Sequence, residues 1–311
     1  MENRQLYMAV QEWLENYKKD SVKALTYDRL EIAFKLMKKY PIAGMPVDEI
    51  DCDDMQRYIR MLVVDGYSLS TIKKQFNLLT AYWKYGMARG IIANPVYMNV
   101  SLPNESAIAT PREDIQTYSQ MEQRLLLREL MKLEHSQYGA LVLMLEAGLR
   151  IGEALALRWE DVLWNRKAII VRRTLIRLSS KAGVTYVQEA PKSKTSKRTI
   201  PLSARAVEIL QKLYDRARWR NGYIFARPDD QMMPYSYSSV EGYAKRLFRD
   251  LDIPYRGLHA FRHTFATNCY ERGCDVKILS KLLGHADVAI TYNTYIHLYG
   301  DALEEMRKVL G

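Results

Sequence analysis

The segment from Leu258 to Tyr295 constrains the fold of this chain most. Its apolar residues recur at helical spacing and are interrupted by residues that begin or end helices, which predicts three short consecutive helices. The first is expected over His259–Arg272, the second over Val276–Leu283, and the third carries Tyr295. The residues that cap or end them are Gly273, Asp275, Gly284 and Asp287. The segment therefore places several helix ends within a short stretch of chain.

Chemically active side chains fall at these helix ends. His259 and Arg262 are three residues apart and so share one helix face. His285 follows the glycine that ends the second helix, and Tyr295 comes ten residues later. His263 lies one step round the first helix, and we expect it to be structural. These residues form an ordered set and not a lone motif.

A zinc site is the first alternative for the histidines. His259 and His263 have i, i+4 spacing, and His285 would complete the set. A metalloprotease helix has a glutamate after its first histidine, whereas this chain has Ala260, and no carboxylate lies on that face. We therefore expect neither a metal nor another cofactor. A second alternative, buried histidines that bond only to backbone, stays open at this point.

Positive charge is concentrated in one part of the chain. The net charge is +10, and residues 165–220 hold 15 Lys/Arg against 3 Asp/Glu, whereas residues 1–105 hold 14 against 13. A concentrated basic segment is typical of a surface that binds nucleic-acid phosphates. A soluble surface that is merely rich in lysine is the alternative.

Length and composition limit the class of protein. At 311 residues the chain is long for one domain, so two are expected. No apolar run approaches the roughly 18 residues of a membrane span, and no apolar signal stretch follows Met1. Cys52, Cys269 and Cys274 form no paired framework, which favours a reducing cytosol.

The first hundred residues predict a bundle of four or five helices. No strand pattern interrupts them, and Asp53 is expected to cap the helix that runs through Leu62. Ser70, Lys73 and Lys74 lie at the start of the next long helix, where free N–H groups and the helix dipole favour phosphate. A helical module for protein interactions is the alternative. Prolines and short polar residues over 103–117 then mark a linker.

Arg150 lies between two glycines at the end of a strongly apolar helix predicted over 138–145. The glycines allow a tight turn and the close approach of other atoms, and a guanidinium held there offers a planar fork to a phosphate. From the residues alone, an ion pair of Arg150 with Glu153 or Asp161 is an equal alternative. Upstream, Ser119 and Glu122 have the spacing of a capping box.

A basic turn follows in the segment of predicted strands. Strands are expected over 168–171 and 184–187, and a third begins near Arg198. The turn before the third strand interleaves small polar residues with cations, which suits a groove lined by phosphates, although most basic turns are merely solvated. Its cations are Lys192, Lys194, Lys197 and Arg198.

Two of these segments, residues 147–162 and 258–297, closely resemble the active-site motifs of the tyrosine recombinases, the phage integrase family. The resemblance covers residues 119–297 well, and residues 1–100 more loosely resemble the SAM-like core-binding domain of that family. It implies a mainly α fold with a small antiparallel β-sheet. The expected domains are a helical core-DNA-binding domain at 1–102, a linker at 103–117 and a mixed α+β catalytic domain at 118–311.

The resemblance also implies catalytic roles. Tyr295 would attack the phosphorus, with His259 as its base, and a lysine of the basic turn would protonate the leaving 5′-oxygen. The Pro-Lys-Ser pattern favours Lys192 for that lysine over Lys194. Tyr292 and Tyr299 are the alternative nucleophiles, but spacing favours Tyr295. The full expected catalytic set is Arg150, Lys192, His259, Arg262, His285 and Tyr295, and the expected DNA contacts are Ser70, Lys73, Lys74, Lys194, Lys197 and Arg198.

The expected function is site-specific recombination of double-stranded DNA through a 3′-phosphotyrosine, for integration or excision of a mobile element. A type IB topoisomerase-like relaxing enzyme and a non-catalytic DNA-binding module of the same fold are the alternatives. An apolar stripe in residues 298–310 predicts an interaction helix over 300–311 that joins protomers into a tetramer on paired sites. Since the helical bundle begins near residue 6, no additional arm-binding domain is expected before it.

Overall fold

The structure is a computed structural model that describes residues 4–108, 116–178, 185–188 and 197–295, without the side chains of residues 107, 185–188, 293 and 295. The chain divides into two compact units. The first covers residues 1–113 with 178–184, and the second covers 114–177 with 185–311. Within the described residues, no helix combines the length and the apolar character needed to cross a membrane.

The first unit is helical, as predicted. Its core is built around large side chains from several helices, including Trp13, Tyr58 and Trp83, each almost fully buried. One predicted cap was wrong: Asp51 and not Asp53 begins the third helix, because the Asp51 side chain accepts from the Asp54 N–H and Asp54 accepts from the Asp51 N–H. The helices are α1 (Leu6–Trp13), α2 (Ala24–Met37), α3 (Cys52–Val64) and α4 (Leu69–Ala88).

The second unit is organised around a buried helix, α6. Nearly every side chain of α6 is buried, so helices pack on it from several sides. The capping box predicted at Ser119 and Glu122 is confirmed, since each side chain accepts from the other residue's backbone N–H. The helices are α5 (Gln120–Leu130), α6 (Gln137–Ala147), α7 (Ile151–Leu155), α8 (Ala204–Arg216), α9 (Tyr237–Asp250), α10 (His259–Glu271), α11 (Val276–Leu283) and α12 (Val288–Tyr295).

The β-structure is small and antiparallel, but its pairing differs from the simplest expectation. The strands are β1 (Val162–Leu163), β2 (Ala168–Val171), β3 (Thr174–Arg177), β4 (Thr185–Gln188) and β5 (Arg198–Pro201). A three-stranded sheet has the order β1-β2-β5, and β3 and β4 form a separate two-stranded sheet. The sequence did not predict β3. Arg172 and Arg173, which lie between β2 and β3, both form ion pairs with Asp161.

Candidate active site

Arg150 is positioned by the turn between α6 and α7. Gly148 ends α6 with a φ of +63°, and a Cβ there would lie 2.6 Å from a ring carbon of Phe265. Only glycine meets both conditions without strain. The turn makes Arg150 the residue that precedes α7, and 39% of its side chain stays exposed. The tight turn predicted from the two glycines is therefore confirmed.

Gly152, the second of these glycines, lets α7 approach its neighbours closely. A Cβ at this position would lie 2.6 Å from the carbonyl oxygen of Leu175 in β3 and 2.8 Å from Oγ1 of Thr174. The same carbonyl accepts a 2.8 Å hydrogen bond from the hydroxyl of Tyr237 at the start of α9. Any side chain at residue 152 would thus push α7, and Arg150 with it, away from this packing.

Glu153 is the buried anion of the site. Its carboxylate accepts from the backbone N–H of Arg150 at 2.9 Å and from Nη1 of Arg150 at 3.0 Å. Arg198 binds both oxygens at 3.0 and 2.9 Å, and Nη1 of Arg262 lies 3.9 Å away. Burial alone would raise the pKa of Glu153, but Arg198, then Arg150 and Arg262, outweigh it and lower that pKa to about 2. Glu153 is therefore ionised at neutral pH.

Arg262 lies in α10 with only 1% of its surface exposed. Its Nη1 donates to the carbonyl of Gly148 at 2.7 Å, and its Nη2 donates to the carbonyl of Leu283 at 2.7 Å. Leu283 also accepts from Arg150 Nη1 at 3.3 Å, so one carbonyl bridges the two arginines. The C-terminus of α11 thus holds two guanidinium groups that lie far apart in the sequence.

His285 completes a hydrogen-bonded chain with Arg262 and Thr291. Nη2 of Arg262 lies 3.0 Å from Nε2 of His285, and Nδ1 of His285 lies 2.7 Å from the hydroxyl of the buried Thr291. Because an arginine only donates, Nε2 accepts and the ring proton is on Nδ1. Desolvation, followed by the charges of Arg262 and Arg150, lowers the pKa of His285 to about 4. Its ring is therefore neutral at pH 7.

His259 is the first residue of α10 and keeps an exposed edge. Partial desolvation, followed by the charges of Arg262 and Arg150, lowers the pKa of His259 to about 4. Its ring packs edge-on against that of His263, with centroids 4.6 Å apart. A neutral imidazole with an open edge can accept a proton, which is the capacity of a general base.

The structure brings together four of the six expected catalytic residues. Hydrogen bonds link Arg150, Arg262 and His285 at the end of α11, and the charges of both arginines act on His259. Tyr295 is the last residue of α12, and its side chain lies outside the described residues. Lys192 and Lys194 also lie outside them. Lys197 is exposed, as are Ser70, Lys73 and Lys74 on the first turns of α4.

The sequence left open whether Arg150 forms an ion pair, and the structure shows that it does so with Glu153 and not with Asp161. Arg198, for which a DNA contact is predicted, forms an ion pair with Glu153 and has only 7% of its side chain exposed. Strand alternation carried a signal for this, because Arg198 shares a face of β5 with the buried Ile200. Nothing comparable in the sequence indicated that Thr291 contacts His285.

Comparison with known proteins identifies the family. Residues 117–301 match the model of the phage integrase family, and residues 5–102 match that of the phage integrase SAM-like domain. A tyrosine recombinase XerC-like protein of Caldanaerobacter subterraneus is 30% identical over 92% of this chain and 77% of its own length. The transposase of transposon Tn916 from Enterococcus faecalis is 23% identical over 95% of this chain and 75% of its own length.

Solved structures share the fold. The Tn1549 transposon integrase, in complex with a circular intermediate DNA, superposes with a TM-score of 0.81 at 20% identity, covering 99% of both chains. A lambda integrase dimer bound to a core site gives a TM-score of 0.67 at 17% identity, covering 94% of this chain and 77% of that one. The chain therefore belongs to the phage integrase family and is a tyrosine recombinase, an enzyme that breaks and rejoins DNA strands.

Proposed function

We propose that this chain is the site-specific recombinase of a mobile element, and that Arg150, Arg262, His259 and His285 form its phosphate-binding centre. The convergence of two arginines on the Leu283 carbonyl, beside a neutral His285, carries the proposal. A phosphodiester gains negative charge in the transition state, and positively charged hydrogen-bond donors held in fixed positions stabilise that transition state. The related transposase of transposon Tn916 supports a role in moving DNA elements.

In this proposal the scissile phosphate binds first to Arg150, whose guanidinium is the more exposed of the two. A phosphate oxygen would then replace Nε2 of His285 as the acceptor for Nη2 of Arg262. Once displaced, His285 can donate from Nε2 if its proton moves from Nδ1. The result is a clamp of two guanidinium groups and one imidazole around the non-bridging oxygens.

Tyr295 would attack the phosphorus and form a 3′-phosphotyrosine, releasing a 5′-hydroxyl. A free tyrosine has a pKa near 10, so a base must take its proton, and the neutral His259 is suited to this. Lys192, with Lys194 as the alternative, would protonate the leaving oxygen. The covalent bond conserves the energy of the broken one, so the proposed reaction requires no cofactor and no ATP.

DNA binding by the first unit belongs to the same proposal. Ser70, Lys73 and Lys74 are exposed at the start of α4, a helix without any Asp or Glu. We infer that they contact phosphates, that four protomers assemble on paired sites through the segment 300–311, which lies outside the described residues, and that the enzyme works in the cytoplasm on the DNA of its host.

The test is covalent trapping on a suicide DNA substrate that carries the recombination site. The wild-type chain should form a covalent protein–DNA complex, and Tyr295→Phe should abolish it. Tyr292→Phe is the matched control, because it removes a tyrosine hydroxyl one helical turn earlier and should leave trapping intact. If Tyr295→Phe still traps DNA, or the wild-type chain never does on its own site, the proposal is wrong.

Relaxation of supercoiled plasmid separates this function from the topoisomerase-like alternative. A recombinase should exchange strands only between DNA molecules that carry its site. Efficient relaxation of plasmids without that site would favour the relaxing enzyme.

A further inference from the structure

All three nitrogens of the Arg198 guanidinium donate hydrogen bonds to other groups of the protein. It is the first residue of β5, directly after the basic turn, and 7% of its side chain is exposed. Nη1 and Nη2 donate to the two oxygens of Glu153 at 3.0 and 2.9 Å, and Nε donates to the carbonyl of Leu282 at 2.6 Å. The planar guanidinium of an arginine can make these three hydrogen bonds at once, and the single ammonium group of a lysine cannot.

The contact with Glu153 determines how strongly that anion holds Arg150. Glu153 is buried, so its charge is poorly screened and interacts strongly with any neighbouring cation. Arg198 binds both of its oxygens, whereas Arg150 binds only one through its side chain. Without Arg198, the Glu153 carboxylate would pair fully with Arg150 and compete with a DNA phosphate for the same guanidinium.

The contact with Leu282 supports the other side of the site. The next residue, Leu283, supplies the carbonyl shared by Arg150 and Arg262. Gly284 then packs directly on the Arg198 guanidinium, because a Cβ there would lie 2.8 Å from Nη1 and 3.0 Å from Cζ. Arg198 thus fixes the end of α11, where the backbone leads into His285.

We propose that Arg198 is a positioning residue and not a DNA contact: by pairing with Glu153 and bracing the end of α11, it leaves Arg150 available to the scissile phosphate. The proposal rests on the phosphate-binding role inferred above for Arg150. It predicts a defect in the chemical step on a charged phosphate, because Arg150 is needed there to offset negative charge.

The experiment compares cleavage of two suicide substrates at saturating DNA, one with the natural phosphodiester and one with an uncharged methylphosphonate at the scissile position. Arg198→Met should slow the phosphodiester reaction by about 30-fold or more, in line with the loss of one oriented charge. On the methylphosphonate, the cleavage rate of each variant is compared with the wild-type rate on the same substrate. The rate of Arg198→Met should stay within about 3-fold of wild type, because this scissile group carries no negative charge for Arg150 to offset. The dissociation constant for DNA should change by less than about 2-fold.

Controls separate positioning from general loss of structure. Arg205→Met removes another arginine of this unit that pairs with a carboxylate, Glu146, but it is 53% exposed and should change neither reaction. Arg198→Lys keeps the charge without the fork and should fall between Arg198→Met and wild type. Glu153→Gln should partly restore phosphodiester cleavage to Arg198→Met, because the uncompensated carboxylate is then gone.

Three results would overturn the proposal: equal slowing on both substrates, no rescue by Glu153→Gln, or weaker DNA binding with normal cleavage at saturation. The last would make Arg198 an ordinary phosphate contact. If Arg198→Met does not fold, the same comparison applies to Arg198→Lys and to the double variant. Trapping by wild type and its loss in Tyr295→Phe test the proposed function separately, so a normal wild type with an unaffected Arg198→Met disproves this inference alone.

Discussion

At the residue scale, His285 is held in the tautomer that accepts from Arg262. The arrangement suits the protein without DNA, because a neutral ring costs less than a charged one beside two guanidinium groups. To bond a phosphate oxygen, Nε2 must instead carry the proton, and Nδ1 must then accept a hydrogen bond. The hydroxyl of Thr291 can serve both states, since it accepts from Nδ1–H in one and donates to Nδ1 in the other.

Replacing Thr291 tests this exchange. Thr291→Val keeps the shape of a buried side chain but removes the hydroxyl, and it should slow cleavage at saturating DNA by about 10-fold, the value of one lost hydrogen bond of about 1.4 kcal/mol. Thr291→Ser keeps the hydroxyl and should remain within about 3-fold of wild type. Single-turnover trapping measures both. A wild-type rate in Thr291→Val would show that the hydroxyl does not assist His285.

The pH dependence of cleavage should reflect the low pKa values of the two histidines. His259 must be neutral to accept a proton, and its pKa is lowered from 6.5 to about 4. With a lower pKa the imidazole stays neutral at lower pH. The cleavage rate at subsaturating DNA, which reports on the free enzyme, should therefore hardly fall between pH 7.5 and 5.5. An unperturbed histidine would lose about tenfold over this range. A decline centred near pH 6.5 would mean that the base of the free enzyme has an ordinary histidine pKa, which would contradict the lowered pKa of His259.

At the scale of elements, the glycine that ends α11 also packs against a residue of the candidate active site. Gly284 has a φ of +65°, and its missing Cβ makes room for Arg198. Gly273, after α10, has a φ of +80° with nothing within 4 Å of a Cβ. The two glycines thus share the backbone requirement and differ only in the close contact.

This difference allows a matched pair of substitutions. Gly273→Ala should cost about 1 kcal/mol of unfolding free energy from backbone strain alone, with little effect on cleavage. Gly284→Ala carries the same strain and also displaces the Arg198 guanidinium, so it should cost about 1–3 kcal/mol more and slow cleavage as well. Chemical denaturation and trapping measure the two effects. Equal losses in both variants would mean that Arg198 accommodates the added methyl group without consequence.

The sequence predicted those elements whose causes are local. Asp275 does cap α11 through backbone N–H groups, and Gly284 does end that helix, because both effects act within one turn. Strand pairing depends on distant residues, so the sequence predicted the strand that is β4 but missed β3 and the pairing of the two. The same limit applies to the site, since Glu153 and Arg198 meet across 45 residues and nothing near either one specifies the pair.

At the scale of the whole molecule, net charge describes a unit and not the local surface that a phosphate would meet. Residues 1–105 carry almost no net charge, with 14 Lys/Arg against 13 Asp/Glu. The exposed start of α4 nevertheless lacks carboxylates, and the helix dipole adds a partial positive charge there. Charge that is balanced over a unit can therefore still leave a local surface suited to phosphate.

Removing two lysines from that surface tests its part in binding. If Lys73 and Lys74 each neutralise a phosphate, Lys73→Ala with Lys74→Ala should weaken binding to any duplex and lower the slope of log K against log salt by about 1.8. Lys35→Ala with Lys39→Ala removes the same charge from exposed positions in and just after α2 and is the matched control. Binding isotherms over a salt series give both slopes. Equal changes in the two double variants would mean that the unit attracts DNA only through its total charge, and that the start of α4 is not a phosphate site.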